Sequence, residues 1–260
     1  MRESPYGKGI GMSELRYHER AGQPTLAYRH REGIGPTLVF LPGYMSDMTG
    51  SKANAIMAYA EAEDRACLLL DYSGCGSSSG TFEEQKITDW RDDVMDLVNA
   101  LVLGPVVLIG SSMGGWLMLL CALAHPERVA ALVGIAAAPD FTDWGFTQDE
   151  KLTILRDGRL EQPSDYDDSP YVTSRAFFES GEASRLLGTE IAIDCPVRLV
   201  HGQQDNEVPW EYSVRLARQL RSADVHVTLV KDGDHRLSRI EDVARLLAQI
   251  EWLLESLKAS

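Results

Sequence analysis

Ser112 stands at the centre of Gly110-Ser111-Ser112-Met113-Gly114, between the apolar run Val106 to Ile109 and the apolar-rich segment Trp116 to Leu123. That order reads as strand, sharp turn and helix with a serine at the apex. Such a turn lifts the hydroxyl clear of the sheet, and its glycines are required because a Cβ there would meet the crossing backbone. The chemistry this permits is attack of the serine oxygen on a carbonyl, with transfer of an acyl group to the protein. The pattern alone is weak, since roughly one chain in ten of this length carries G-x-S-x-G by accident. The partners of the serine decide the matter.

A serine hydroxyl reacts only when a histidine takes its proton and an acid holds that histidine, and on this kind of turn the three follow in the order serine, acid, base. Asp205 lies four residues beyond the strand-like run Val197 to His201, on a loop leaving the carboxyl end of a strand, where parallel sheets place their chemistry. Asp140 is its rival, because it follows the other apolar run, Val129 to Ala138. His235 falls between the strand-like Val225 to Val230 and the last helical segment, where the base is expected. His18, His30, His125 and His226 read as structural, and His201, at a strand end, reads as a packing residue.

Acyl transfer also needs donors for the negative oxygen of the tetrahedral intermediate, each worth about 2.7 to 4 kcal/mol. The backbone N–H of Met113 is one candidate, at the amino end of a helix. The other is the N–H of Tyr44, in Leu41-Pro42-Gly43-Tyr44 after the strand Thr37 to Leu41, where Gly43 allows close approach and Pro42 has no N–H to give.

These residues need a scaffold, and 260 residues suffice for one large α/β domain with an insertion. Stretches around Glu14 to His18 and Thr25 to His30 read as an amino-terminal hairpin. Strand and helix then alternate: strand 37–41, helix 53–63, strand 66–70 and helix 88–103, the last with Trp90, Val94, Leu97, Val98 and Leu101 at helical spacing. The final helix repeats the device with Ile240, Val243, Leu247, Ile250, Leu254 and Leu257. Alternation of this kind predicts an α/β fold, a mostly parallel sheet of the eight-stranded type flanked by helices. It stops between 137 and 193, which predicts a small helical lid inserted between core segments 1–136 and 194–260. The lid carries Phe141, Trp144, Phe146, Leu152, Leu155, Tyr166, Tyr171, Phe177 and Phe178. Trp116, Trp144, Phe177 and Phe178 are the candidates for binding the acyl group.

A formal net charge of -14 argues against nucleic-acid partners and against electrostatic docking on anionic membranes. No apolar run is long enough to span a bilayer. Met1 to Arg20 has no apolar core for a secretory signal, and its glutamates make a poor transit peptide, so a cytoplasmic location is expected. Cys67, Cys121 and Cys195 fall in predicted strand or helix contexts and Cys75 in a Gly/Ser-rich loop; none has C-x-x-C spacing, and all read as reduced. No cluster has zinc-site spacing, and the chemistry calls for neither metal nor organic cofactor.

Leu41-Pro42-Gly43-Tyr44-Met45-Ser46, Asp71-Tyr72-Ser73-Gly74-Cys75-Gly76-Ser77-Ser78, the extended run from Gly110 to Leu119 and Val208-Pro209-Trp210 carry a resemblance. The chain resembles the α/β-hydrolase superfamily throughout, and within it the family of the mitochondrial palmitoyl-protein thioesterase that is also called mycophenolic acid acyl-glucuronide esterase. The resemblance implies Ser112 as nucleophile, Asp205 as acid and His235 as base. It also implies a small-molecule or protein-linked carboxylic ester or thioester as substrate. Dehalogenase and epoxide-hydrolase relatives use a carboxylate where this chain has Ser112. Peptide hydrolysis, with Asp165, Asp167, Asp168, Glu179 or Glu182 receiving a substrate amine, carbon–carbon hydrolysis, and a non-catalytic ligand-binding fold are the competing readings.

Overall fold

The computed structural model describes residues 13–163 and 170–258; Asp165, Tyr166, Asp167 and Asp168, like residues 1–12 of the leader reading, lie outside the described residues. Strands β1 (Arg16–His18) and β2 (Leu26–Arg31) pair antiparallel as the expected hairpin. Then follow β3 (Ile34–Leu41), α1 (Ser51–Ala62), β4 (Arg65–Leu70), α2 (Ile87–Leu101), β5 (Val106–Ser111), α3 (Met113–Ala124) and β6 (Val129–Ile135). The insertion contains α4 (Phe141–Trp144), α5 (Gln148–Asp157), β7 (Arg159–Gln162), β8 (Tyr171–Ser174) and α6 (Arg175–Ala183). The chain returns through β9 (Val197–Gly202), α7 (Glu211–Gln219), β10 (Val225–Val230) and α8 (Ile240–Lys258).

Eight strands form one sheet in the order β1-β2-β4-β3-β5-β6-β9-β10, antiparallel at the β1-β2-β4 edge and parallel from β4 to β10. The central strands are apolar on both faces because helices cover both. Leu38 and Phe40 of β3, Cys67 and Leu69 of β4, and Val107 and Ile109 of β5 join the core under α1 and α8. Their neighbours Val39, Leu41, Leu68, Leu70, Val106 and Leu108 join the core under α2 and α3. This period of two fixes which way every strand-end residue turns.

Three expectations are corrected. The insertion is not helical throughout, since β7 and β8 pair antiparallel, Leu160 opposite Thr173. Tyr171, Val172 and Thr173 are aromatic and β-branched residues that favour a strand, a signal that the shortness of the run and its polar surroundings conceal. The expected stripe of α8 holds for Ile250 and Leu254, which are buried, and for Leu247 and Leu257, which pack against the core, but it fails in the first turn, where Ile240 is 89% exposed. Asp242, bonded by Arg239 and Arg245, is the buried residue of that turn. Cys195 lies in the loop before β9 and not in a regular element.

The sheet gathers the loops after β3, β5, β9 and β10 at its carboxyl edge, and two close backbone crossings set their spacing. A Cβ on Gly110 would strike the Gly114 carbonyl, and one on Gly114 would strike the carbonyl of Leu41, so β5, α3 and the end of β3 touch backbone to backbone. At the other crossing Gly202 abuts Gly233, with Gln204 N–H donating to the Gly233 carbonyl at 2.8 Å. Asp71, buried, accepts from Met48 N–H at 2.7 Å and Ser77 N–H at 2.8 Å and so ties the loop after β3 to the loop after β4.

Gly114→Ala is expected to cost about 3 kcal/mol, the upper end for overpacking, because the obstacle is backbone. Gly104→Ala, where an added methyl meets nothing within 4 Å, is expected to stay within about 0.5 kcal/mol of the parent. Urea unfolding midpoints of the two variants check this.

Candidate active site

Ser112 occupies the turn between β5 and α3 at φ 54° and ψ −118°, a conformation that costs a non-glycine residue about 1 to 3 kcal/mol. Three hydrogen bonds hold it there. Its N–H donates to the Ile135 carbonyl at 2.9 Å, and its own carbonyl accepts from Gly115 N–H at 2.9 Å and Ala138 N–H at 3.0 Å. The hydroxyl opens onto a cavity of about 620 Å³ whose wall also includes His235. Among the described residues no hydrogen bond joins the Ser112 hydroxyl to His235; in unliganded sites of this kind such bonds are commonly long and tighten with substrate.

The Asp205 side chain has no exposed surface. Its Oδ1 accepts from Glu207 N–H at 2.9 Å and Val208 N–H at 2.8 Å; its Oδ2 lies 2.8 Å from His235 Nδ1 and 3.1 Å from His201 Nε2. Burial pushes the carboxyl upward, but the hydrogen bonds from His201, then His235 and the Val208 amide, outweigh it and hold the group well below the usual carboxylate range. An ionised Asp205 makes Nδ1 of His235 the protonated nitrogen and leaves Nε2 to accept a proton. The Glu207 carboxylate lies 3.6 Å from that Nε2.

Asp140 is placed elsewhere. Its oxygens accept from Leu186 N–H at 2.8 Å and Leu187 N–H at 2.7 Å, so it closes the base of the insertion. Burial pushes its carboxyl upward, opposite to Asp205. His201, expected to be a packing residue, is buried but fully hydrogen-bonded, to Ser213, Val208 and Asp205. Burial pushes the thiols of Cys67, Cys75 and Cys121 up to about 12 and that of Cys195 up to about 11, which leaves each a poor nucleophile.

Tyr44 and Met113 both line the cavity, and the loops that carry them are in contact: a Cβ on Gly43 would lie 3.5 Å from that of Ser112. Met113 opens α3, so its N–H has no acceptor within the helix. The Tyr72 hydroxyl donates to the Pro42 carbonyl at 3.0 Å, and the Tyr44 hydroxyl donates to the Val172 carbonyl of β8 at 2.6 Å. The loop is thereby fastened to the core on one side and to the insertion on the other.

Of Trp116, Trp144, Phe177 and Phe178, Trp144 is the one on the cavity wall, stacked on Tyr212 with ring centroids 4.3 Å apart. The other three are corrected to a second row. Trp116 and Phe177 back Phe141 at 5.7 and 5.6 Å, and Phe178 backs Phe146 at 6.2 Å. Phe141 and Phe146 form the wall. Glu182 accepts from the Thr142 hydroxyl at 2.8 Å, and neither it nor Glu179 lines the cavity.

Sequence reasoning missed Lys52 and Arg236, both on the wall. Lys52 lies in the first turn of α1 and its Nζ donates to the Arg236 carbonyl. Burial first, then the charge of Arg236, pull its ammonium down to about 8, against an opposing effect of Asp234. The contact joins residues 184 apart, which no local pattern announces.

Comparison with known proteins identifies the family. The family model described as alpha/beta hydrolase fold matches residues 36–157. The mitochondrial palmitoyl-protein thioesterase ABHD10 of Homo sapiens is 39% identical over 249 residues, covering 94% of this chain and 81% of that protein. The structure of alpha/beta hydrolase domain-containing protein 10 from mouse superposes with a TM-score of 0.88 at 38% identity, covering 94% of this chain and all of that one. The 2-hydroxymuconate semialdehyde hydrolase of Pseudomonas sp. strain CF600 is 24% identical over 76% of this chain and 80% of its own length. The mitochondrial relatives overturn the expected cytoplasmic location, which rested on reading the acidic residues near the amino terminus as incompatible with a transit peptide. With the sheet order, the strand-end loops and these matches together, the chain is a member of the alpha/beta hydrolase family, in the group that holds ABHD10.

Proposed function

We propose that this chain is a serine hydrolase that cleaves acyl thioesters or carboxylic esters through an acyl-enzyme on Ser112. The observation that carries the reading is the buried, ionised Asp205 on Nδ1 of His235, with His235 and Ser112 on the wall of one cavity. His235 Nε2 takes the Ser112 proton as Oγ bonds to the acyl carbon, and the oxygen that becomes negative is held by the N–H groups of Tyr44 and Met113. The carbonyl re-forms, the bond to sulfur or oxygen breaks, and the leaving group takes the proton from Nε2. Water then repeats the sequence on the acyl-serine, giving up a proton to Nε2, releasing the carboxylic acid and restoring Ser112.

The cavity suits such a substrate at both ends. Phe141, Trp144 and Phe146 offer an apolar wall for the acyl group, and the insertion 137–193 serves as the lid that keeps water from it. Lys52 and Arg236 share the wall on the side of the base with Asp47 and Glu207, and the two cations are the groups there that can receive a leaving group carrying a negative charge, as a glucuronide does. The location that goes with this reading is that of the relatives, which are mitochondrial. Identity of 39% to a palmitoyl-protein thioesterase over nearly the whole chain, against 24% to the 2-hydroxymuconate semialdehyde hydrolase, favours acyl transfer to water over the other hydrolase reactions.

A fluorophosphonate is expected to label the wild-type protein once, at Ser112, and not to label Ser112→Ala; mass spectrometry of the intact protein reads this, and undiminished labelling of the variant would move the nucleophile elsewhere. Asp205→Asn is expected to lower kcat by about 10⁴, the scale of a lost triad acid, with Asp140→Asn within about tenfold of the parent. Steady-state kinetics on a p-nitrophenyl ester decide the ranking. For an anionic leaving group, kcat/KM is expected to fall as pH rises through about 8, where Lys52 loses its charge, relative to a neutral leaving group on the same acyl chain. Parallel profiles for the two substrates would remove Lys52 from recognition.

A further inference from the structure

We propose that His201 is a positioning residue for the acid of this site, held by Ser213 in the one tautomer that can donate to Asp205. The inference rests on the triad reading above but concerns residues outside it. His201 and Asp205 have no exposed side-chain surface, and Ser213, in the first turn of α7, is buried beside them.

The tautomer follows from the partners. His201 Nε2 faces two oxygens that can only accept, Asp205 Oδ2 at 3.1 Å and the Val208 carbonyl at 3.0 Å. With Asp205 ionised, that nitrogen has to carry the hydrogen, because a lone pair there would face two others without water to intervene. Nδ1 of a neutral ring is then the acceptor, and it lies 2.7 Å from Ser213 Oγ, whose hydroxyl donates to it. A chain of hydrogen bonds therefore runs from Ser213 through His201 and Asp205 to His235 Nδ1.

The oxygen that receives His201 is the oxygen that receives the base. Asp205 Oδ2 divides its charge between the two imidazoles, while Oδ1 is occupied by the amides of Glu207 and Val208. Withdrawing the His201 donor concentrates that charge on His235, makes the ring harder to deprotonate and frees the carboxylate to swing. A side chain serving only to fill space at position 201 would need neither the Nε2 hydrogen nor a hydroxyl at 213, and burying both without partners is costly.

The test uses the full chain and four variants: His201→Phe, which keeps a ring without donors, His201→Gln, whose amide can restore the Nε2 donor, Ser213→Ala and Ser213→Thr. The readouts are the pH profile of kcat/KM on a neutral p-nitrophenyl ester and the downfield proton NMR resonance of the bond between His235 Nδ1 and Asp205. His201→Phe is expected to lower kcat about tenfold with KM little changed, to move the acid limb up by about half a pH unit and to displace the resonance downfield. Ser213→Ala moves each in the same direction by less, and His201→Gln and Ser213→Thr return the limb and the resonance toward wild type. A His201→Phe protein, or, if that variant does not fold, a Ser213→Ala protein, with the wild-type limb and resonance would overturn the proposal. So would His201→Gln and His201→Phe behaving alike. A wild-type protein without esterase activity would instead defeat the hydrolase reading, and the resonance would still report on His201.

Discussion

A carboxylate with no exposed surface must find a hydrogen-bond donor for every face or lose its charge, and Asp205 is where the structure meets that demand. Two amides of its own loop, an imidazole from the strand before it and an imidazole from the loop after β10 surround it. Each donor fixes a segment. The turn 205–208 closes because Val208 both donates to Asp205 and accepts from His201. The loop of His235 is brought alongside by the parallel pairing of β9 and β10 and by the contact of Gly202 with Gly233. The charge of the acid, the seating of both imidazoles and the approach of two strand-end loops are thus one arrangement.

The serine end is governed by backbone and not by charge. Ser112 is kept at a positive φ by bonds to β6 and to the segment after it, and the contact of Gly114 with Leu41 leaves no room for relaxation. Because the same contact seats the loop 42–44, strain at the serine and placement of the Tyr44 amide have a common cause. The two ends of the site face each other across the cavity that Ser112 and His235 both line.

Features tied to local spacing were legible in the sequence. The turn at Ser112 follows from its glycines, the layers from the change between a period of two and a period of 3.6, and the loops of Asp205 and His235 from their places after apolar runs. Features set by contact across the chain were not. Nothing near residue 52 foretells the carbonyl of residue 236, and Phe177 and Phe178 look from the sequence like wall residues because nothing there shows that Phe141 and Phe146 stand in front of them. At the start of α8 Ile240 is exposed and Asp242 buried, a charge that helical spacing assigns to the solvent face.

Asp140 and Asp205 bring out what distinguishes an acid that holds an imidazole from one that holds a segment of backbone, since both follow strands of the same sheet and both bind two amides. The amides on Asp140 come from Leu186 and Leu187, 46 and 47 residues away, and use both of its oxygens. Those on Asp205 come from the next three residues and use one, which leaves Oδ2 for imidazole. A carboxylate that cinches the neck of a long insertion has both oxygens turned to that neck, while one whose own turn occupies a single oxygen presents the other to imidazole. The insertion therefore needs its own clasp, and the second fastening, from the Tyr44 hydroxyl to β8, makes any displacement of the insertion bear directly on the amide beside Ser112.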